Sequence, residues 1–234
     1  MSADPSARIG IAILAKAPLP GLAKTRLIPC LGADGAAALQ RWLLQRAVAT
    51  AIVADVGPVT LWCAPDTRHP EFAVAGAFGP VARRRQPAGD LGARMLAALA
   101  EPPAIADVAT MASAAASPAV AGTLLIGTDC PVLTPGRLRR AAERLRTHEA
   151  TVIPAEDGGY VLIGARRPEP RLFADVDWGS DRVMAQTRAR LAALAWRWHE
   201  DAPLWDVDRP EDFARLCARF PGAFALPAGI GIAA

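Results

Sequence analysis

Three short segments carry the residues with the clearest capacity for chemistry. In KAPLPGLAKTRL, residues Lys16 to Leu27, the cations Lys16, Lys24 and Arg26 share a stretch that holds two prolines and one glycine. Cations at that density suit an anion. Arg26 can grip a phosphate or carboxylate with two parallel N–H bonds, while Lys24 acts as a point charge. A P-loop would need glycine directly before the lysine, and Ala23 stands there. What remains is a stiffened loop that could surround a di- or triphosphate, or a plain solvated basic loop. GTDCP, Gly127 to Pro131, sets Asp129 at the mouth of the apolar run LLI. A carboxylate there is costly unless a partner satisfies it, and a hard cation is one such partner. An Asx turn is the other reading. DVDRPEDF, Asp206 to Phe213, supplies two more carboxylates before a helix that opens with Pro210, Glu211 and Asp212. Asp208 reads either as the N-cap of that helix or as a second metal ligand meeting Asp129. The alternation of DVD is taken to send Asp206 and Asp208 to opposite faces, so that only one of them serves.

Two glycine-containing segments add to these. QPAGDLGARM, Gln86 to Met95, places Gly89 and Gly92 around Asp90, where the carboxylate caps a helix and the glycines admit a flat ligand to the backbone. EDGGYVLIG, Glu156 to Gly164, lies between two strands. Asp-Gly-Gly reads as a hairpin turn, which leaves Glu156 and Asp157 as the candidates for chemistry.

Something must hold these segments together. Apolar runs at 9–15, 58–63, 81–86, 122–127, 150–154, 160–164 and 195–199 read as strands. Helical patterns lie at 33–54, 68–77, 91–100, 135–147, 180–194 and 209–219. Strands that alternate with helices imply a mostly parallel sheet in a layered α/β fold, and ligands of such sheets sit at the carboxyl ends of the strands. Each segment above follows a strand. Residues 101–121, biased to Ala, Pro and Ser, read as a surface-loop insertion, and 221–234 as a tail able to cover a subunit interface in a homodimer. The 234 residues are read as one domain.

Bulk properties narrow the classes. With 26 basic and 23 acidic residues the net charge is +3, too small and too scattered for a nucleic-acid partner. No apolar run reaches the length of a bilayer span, and MSADPSAR lacks a signal-peptide core, so a cytoplasmic protein is expected. Cys30, Cys63, Cys130 and Cys217 are too far apart for a zinc site and read as small buried hydrophobes. Trp196 and Trp198 give the strand around them one aromatic face, for core packing.

Taken in order, KxPxPGxxKTRL, QxxGDLGxRM, GTDCPxLT, DGGYxLIG, W-x-[ST]-x-x-V (Trp178–Val183) and DVDxPEDF resemble the DUF2064 family over roughly residues 8–220. These are glycosyltransferase-like proteins, some associated with arsenosugar biosynthesis, and related in sheet to 2-phospho-L-lactate guanylyltransferases and molybdenum-cofactor nucleotidyltransferases. The resemblance implies a three-layer, Rossmann-like nucleotide-diphospho-sugar transferase (GT-A) fold with a mostly parallel sheet. It implies a metal-dependent transferase acting on a nucleotide sugar, or alternatively a nucleotidyltransferase acting on a nucleoside triphosphate, or a non-catalytic nucleotide-binding protein. Phosphates would lie near Lys16, Gly21, Lys24 and Arg26, and the base or ribose near Gln86, Gly89, Asp90 and Leu91. Mg²⁺ or Mn²⁺ would sit on Asp129 and Asp208, with Asp206 less favoured. A small-molecule acceptor would lie against Glu156, Asp157, Gly158 and Gly159, with Trp178 at its edge. Apart from the resemblance, Asp157 is read here as the general base. Two departures stand out: Gly179-Ser180 follows the tryptophan where Ser-Thr is usual, and GTDCP carries one carboxylate where a DxD is common.

Overall fold

The computed structural model describes residues 8–101 and 120–222. The insertion expected at 101–121 and the tail at 221–234 fall almost wholly outside them. The strands are β1 (Arg8–Lys16), β2 (Val59–Ala64), β3 (Val81–Arg85), β4 (Val120–Ile126), β5 (Ala150–Pro154), β6 (Tyr160–Ala165) and β7 (Trp198–Glu200). The α-helices are α1 (Ile28–Ala54), α2 (Pro70–Val74), α3 (Leu91–Ala100), α4 (Pro135–Thr147), α5 (Val183–Ala193) and α6 (Pro210–Arg219). α1 is broken at Gly32, whose φ of 67° is open to glycine at little cost, so the regular helix begins close to the position expected from sequence.

The sheet runs β3-β2-β1-β4-β6-β5-β7. β1 to β4 pair in parallel, and so do β5 and β7. β6 is antiparallel to both neighbours. Burial explains the apolar runs. Strands covered on both faces carry near-continuous hydrophobics, and β1 alternates its two sets: Ile9, Ile11, Ile13 and Ala15 face the layer of α1, α2 and α4, while Ala12 and Leu14 face the layer of α3 and α5. Trp196 and Trp198 pack into this second layer, as their spacing predicts. Three layers therefore enclose two cores, and a third cluster joins the start of α1 to α6 through Trp205 and Val207.

An antiparallel strand starts at the edge where its parallel neighbours end. The turn between β5 and β6 thus opens on the same edge as the carboxyl ends of β1, β2 and β4. No helix among the described residues is long and apolar enough to cross a membrane.

Candidate active site

All three chemistry-bearing segments meet at the carboxyl edge of the sheet, around a cleft of about 590 Å³. Lys16 ends β1 and stands exposed in the cleft wall. The loop after it turns through Gly21 at φ 79°, where a Cβ would meet nothing but would still be strained. Gly21 shapes the loop without lining the cleft.

Lys24 does not reach outward. Its ammonium lies 2.7 Å from Asp129 Oδ1 and 3.5 Å from Asp208 Oδ1, with its side chain only 5% exposed, and it donates to Val207 O at 2.6 Å. Arg26 pairs with Asp208 Oδ2 at 2.5 Å from a more exposed position. The cations expected at the phosphates and the carboxylates expected at the metal are thus paired with each other.

Asp129 is fixed from several directions. Its carbonyl accepts from Val207 N at 2.9 Å, and Thr128 Oγ1 donates to Oδ1 at 3.2 Å. Thr128 in turn accepts from Gln40 Nε2 at 3.2 Å, an α1 side chain only 4% exposed that also donates to Lys16 O. The segment Asp206–Asp208 lies beside this turn with Val207 pointing into the core.

That placement corrects the reading of DVD. Residues i and i+2 of an extended segment share a face, so Asp206 and Asp208 both look toward the cluster and Val207 alone points away. Burial, then the nearby charges of Asp157, Asp129 and Asp208, push the Asp206 carboxyl up to about 7, against a smaller opposing effect of Lys24. The N-cap of α6 is also one residue later than expected. Arg209 occupies it, and Asp212 Oδ2 accepts from the backbone N–H groups of Asp208 and Arg209. This leaves the Asp208 side chain to the two cations.

The β5–β6 turn brings in Asp157, which lines both the cleft and an adjoining chamber of about 530 Å³. Asp157 Oδ1 accepts from Gly159 N at 2.9 Å, the Asx bond of the expected hairpin turn. Gly158 has φ 92°, and a Cβ on it would come within 2.2 Å of Asp181 O. Its role is close packing against the start of α5. Glu156 lines the second chamber but is bound in a fork by Arg215 at 2.7 and 3.2 Å, which holds its carboxyl below the usual range.

Gln86 lines the cleft with its amide nitrogen committed to two carbonyls, Ala15 O at 3.1 Å and Trp62 O at 2.8 Å. Asp90 caps α3 through Ala93 N at 2.8 Å, as expected. Leu91 lines the cleft and is 42% exposed, whereas Gly89 and Asp90 support it from behind. Trp178 lines neither the cleft nor the second chamber, whereas Gly179 beside it lines both. Trp178 packs against Phe173 and beneath Gly92, where a Cβ would meet its ring at 3.0 Å. Sequence reasoning missed Arg94, a half-buried cation in the cleft wall whose Nε donates to Gly89 O. Four residues after the Asp90 cap puts it on the cap's face of α3, which was the available signal. Of the cysteines, Cys63 is buried as expected, but Cys30 is exposed and Cys130 and Cys217 are half-buried.

Among the described residues no three acidic, histidine or cysteine side chains converge as a ready metal cage. The donor set nevertheless suits a hard divalent cation. Asp129 and Asp208 already share one cation, Lys24, and the charges of Asp157, Asp129 and Asp208 add to burial in raising the Asp206 carboxyl.

Comparisons with known proteins agree with this architecture. The model of a family described as "Uncharacterized protein conserved in bacteria (DUF2064)" matches residues 47–180, more than half of the 234. That span includes Gln86–Met95, Gly127–Thr134 and Asp157–Gly164 and stops before Asp206. No curated protein matches the sequence. A protein of Desulfovibrio desulfuricans G20, provisionally assigned as a nucleotide-diphospho-sugar transferase, is similar in structure with TM-score 0.74 and 25% identity over 94% of each chain. A nucleotidyl transferase of Methanothermobacter shares the fold with TM-score 0.57 and 14% identity, over 91% of this chain and 97% of that one. The CMP:2-keto-3-deoxy-manno-octonic acid synthetase, solved with CTP, shares it with TM-score 0.50 and 13% identity, over 91% and 98%.

Proposed function

We propose, from the premise that this chain belongs to the DUF2064 family, that it is a metal-dependent glycosyltransferase using a nucleoside diphosphate sugar. The observation that carries this reading is the meeting of Asp129, Asp157, Asp206 and Asp208 with Lys24 and Arg26 at the carboxyl edge of a transferase-type sheet. Lys16 and Arg94 extend the positive charge along the cleft wall, where they would bind the donor phosphates. Asp129 and Asp208 would hold Mg²⁺ or Mn²⁺, with Asp206 on the same face of its segment as Asp208. Such an ion supplies charge neutralisation as the diphosphate leaves. Lys16, Arg26 and Arg94 stabilise the same developing charge. Asp157, shared by cleft and chamber, is placed to take the proton of an acceptor hydroxyl, and the second chamber would receive the acceptor. Glu156, held by Arg215, shapes that chamber.

The cations Lys16, Lys24, Arg26 and Arg94 exceed what a diphosphate needs, and this favours a second reading, nucleotidyl transfer from a triphosphate with release of pyrophosphate.

A thermal-shift panel of nucleotide sugars, nucleoside diphosphates and triphosphates, each with and without Mn²⁺, tests both. A ligand at about 100 times its Kd adds roughly 2.7 kcal/mol, or about 5–11 °C at the 2–4 °C per kcal/mol typical of this chain length. A metal-dependent shift abolished in Asp129→Asn is expected, and the preferred ligand separates the two reactions. No shift with any nucleotide would refute the reading.

A further inference from the structure

We propose that the Lys24 ammonium is the resident counter-ion of the carboxylate cluster, and that Lys24 and a divalent cation are alternative occupants of one position. The inference rests on the reading of Asp129 and Asp208 as metal ligands.

The lysine is placed where a cation would bridge. Asp129 Oδ1, Asp208 Oδ1 and Val207 O converge on its Nζ at 2.7, 3.5 and 2.6 Å from two segments of the chain, the turn after β4 and the stretch before α6. Three oxygens converging on a point suit a compact ammonium or a metal ion. They do not suit the planar fork of a guanidinium. The composition agrees: only two of the 26 Lys and Arg residues are lysines, Lys16 and Lys24, and both stand at this cleft.

Charge disfavours coexistence. A dication held by the same two carboxylate oxygens would stand within a few ångströms of the ammonium, and the two would repel strongly in a partly buried setting. The lysine stem is long and flexible, so its head turns into the cleft when the carboxylates take up metal. There it meets the donor phosphates. Metal and polyphosphate then bind with positive coupling, because the cation that frees the lysine also supplies the second partner of the anion.

Amine-selective reductive methylation of the wild-type chain, read by peptide mass spectrometry, tests this directly. Lys16, exposed in the same cleft, is the internal control. Mn²⁺ binding is followed in parallel by loss of the free-ion EPR signal. Without metal, Lys24 should be protected relative to Lys16, and saturating Mn²⁺ should remove that protection. Lys24→Met should tighten Mn²⁺ binding in the absence of nucleotide by about tenfold, the equivalent of roughly 1.4 kcal/mol, and weaken nucleotide binding. If Mn²⁺ binds while Lys24 stays protected, or if Lys24→Met weakens Mn²⁺ binding, the exchange is refuted and the metal reading stands. If Mn²⁺ does not bind at all, the metal reading fails and the exchange with it.

Discussion

Asp206 makes the cluster measurable without any knowledge of substrate. In the folded, metal-free protein its carboxyl is pushed up to about 7, against 3.8 for an unperturbed group, and burial is the leading cause. The folded state therefore holds this proton more tightly than the unfolded state. The resulting stability is fully present below the unfolded pKa and is lost as pH rises through the folded one. Between pH 4 and 7 the native state carries about one more proton, so stability falls by about 1.36 kcal/mol per pH unit from this group. Integrated from pH 5 to 8, the loss is about 2–3 kcal/mol. Asp206→Asn removes the titration and keeps the shape. Urea unfolding of wild type and Asp206→Asn in EDTA, at pH 5, 6, 7 and 8, should give curves that diverge with pH, the variant gaining about 2–3 kcal/mol relative to wild type across the range. Parallel curves would show that Asp206 ionises normally and that the four carboxylates do not share one electrostatic environment.

Two other substitutions probe separate parts of the site. Gly158→Ala forces a Cβ to within 2.2 Å of Asp181 O at a φ of 92°. Handedness strain alone costs about 1–2 kcal/mol, or roughly 2–8 °C in Tm at 2–4 °C per kcal/mol, and the backbone clash adds to that fall. A Tm unchanged by scanning calorimetry would mean that the hairpin tip does not rest on the start of α5. Arg94→Ala should lower affinity for tripolyphosphate about 10–100-fold, as expected for losing a charged hydrogen bond of roughly 1.5–3 kcal/mol, and leave the unliganded Tm nearly unchanged. Equal affinity by calorimetric titration would remove Arg94 from the anion site.

The layers of the fold were legible because strands buried on both faces announce themselves as apolar runs, as in IGIAILA and GTLLIG. The reversed direction of β6 was legible from Asp-Gly-Gly, which marks a two-strand turn in place of a crossover. At the site, Asp129 and Asp157 were visible as carboxylates following strands. The pairing of Asp206 with Asp208 on one face was also within reach, since the period-2 rule that places Trp196 and Trp198 together applies equally to DVD. Other features were beyond any local pattern. Lys24 turns inward because Val207, 183 residues away in sequence, offers it a carbonyl. Trp178 is drawn behind α3 by the room that Gly92 leaves. Gln86 spends its amide on the carbonyls of Ala15 and Trp62 from two neighbouring strands. Contacts of that kind depend on the assembled sheet.

The contact between Gly158 and the start of α5 has a mechanical consequence. Besides the close approach of Gly158 to Asp181, Met184 N donates to Gly158 O at 2.7 Å. The β5–β6 tip is therefore welded to a helix of the α3/α5 layer, while β5 itself slips register at Ile153–Pro154. Asp157 takes its bearing from that helix as much as from its own ladder. The opposite wall, built from β1 and β4, has no such link and is braced by α1 through Gln40. The stretch from Leu204 to Val207 joins the two walls, bonding to Pro154 and Glu156 on one side and to Asp129 O on the other. Repacking the buried face of α5 around Met184 and Leu191 would therefore move the Asp157 side of the cleft more than the Lys16–Asp129 side.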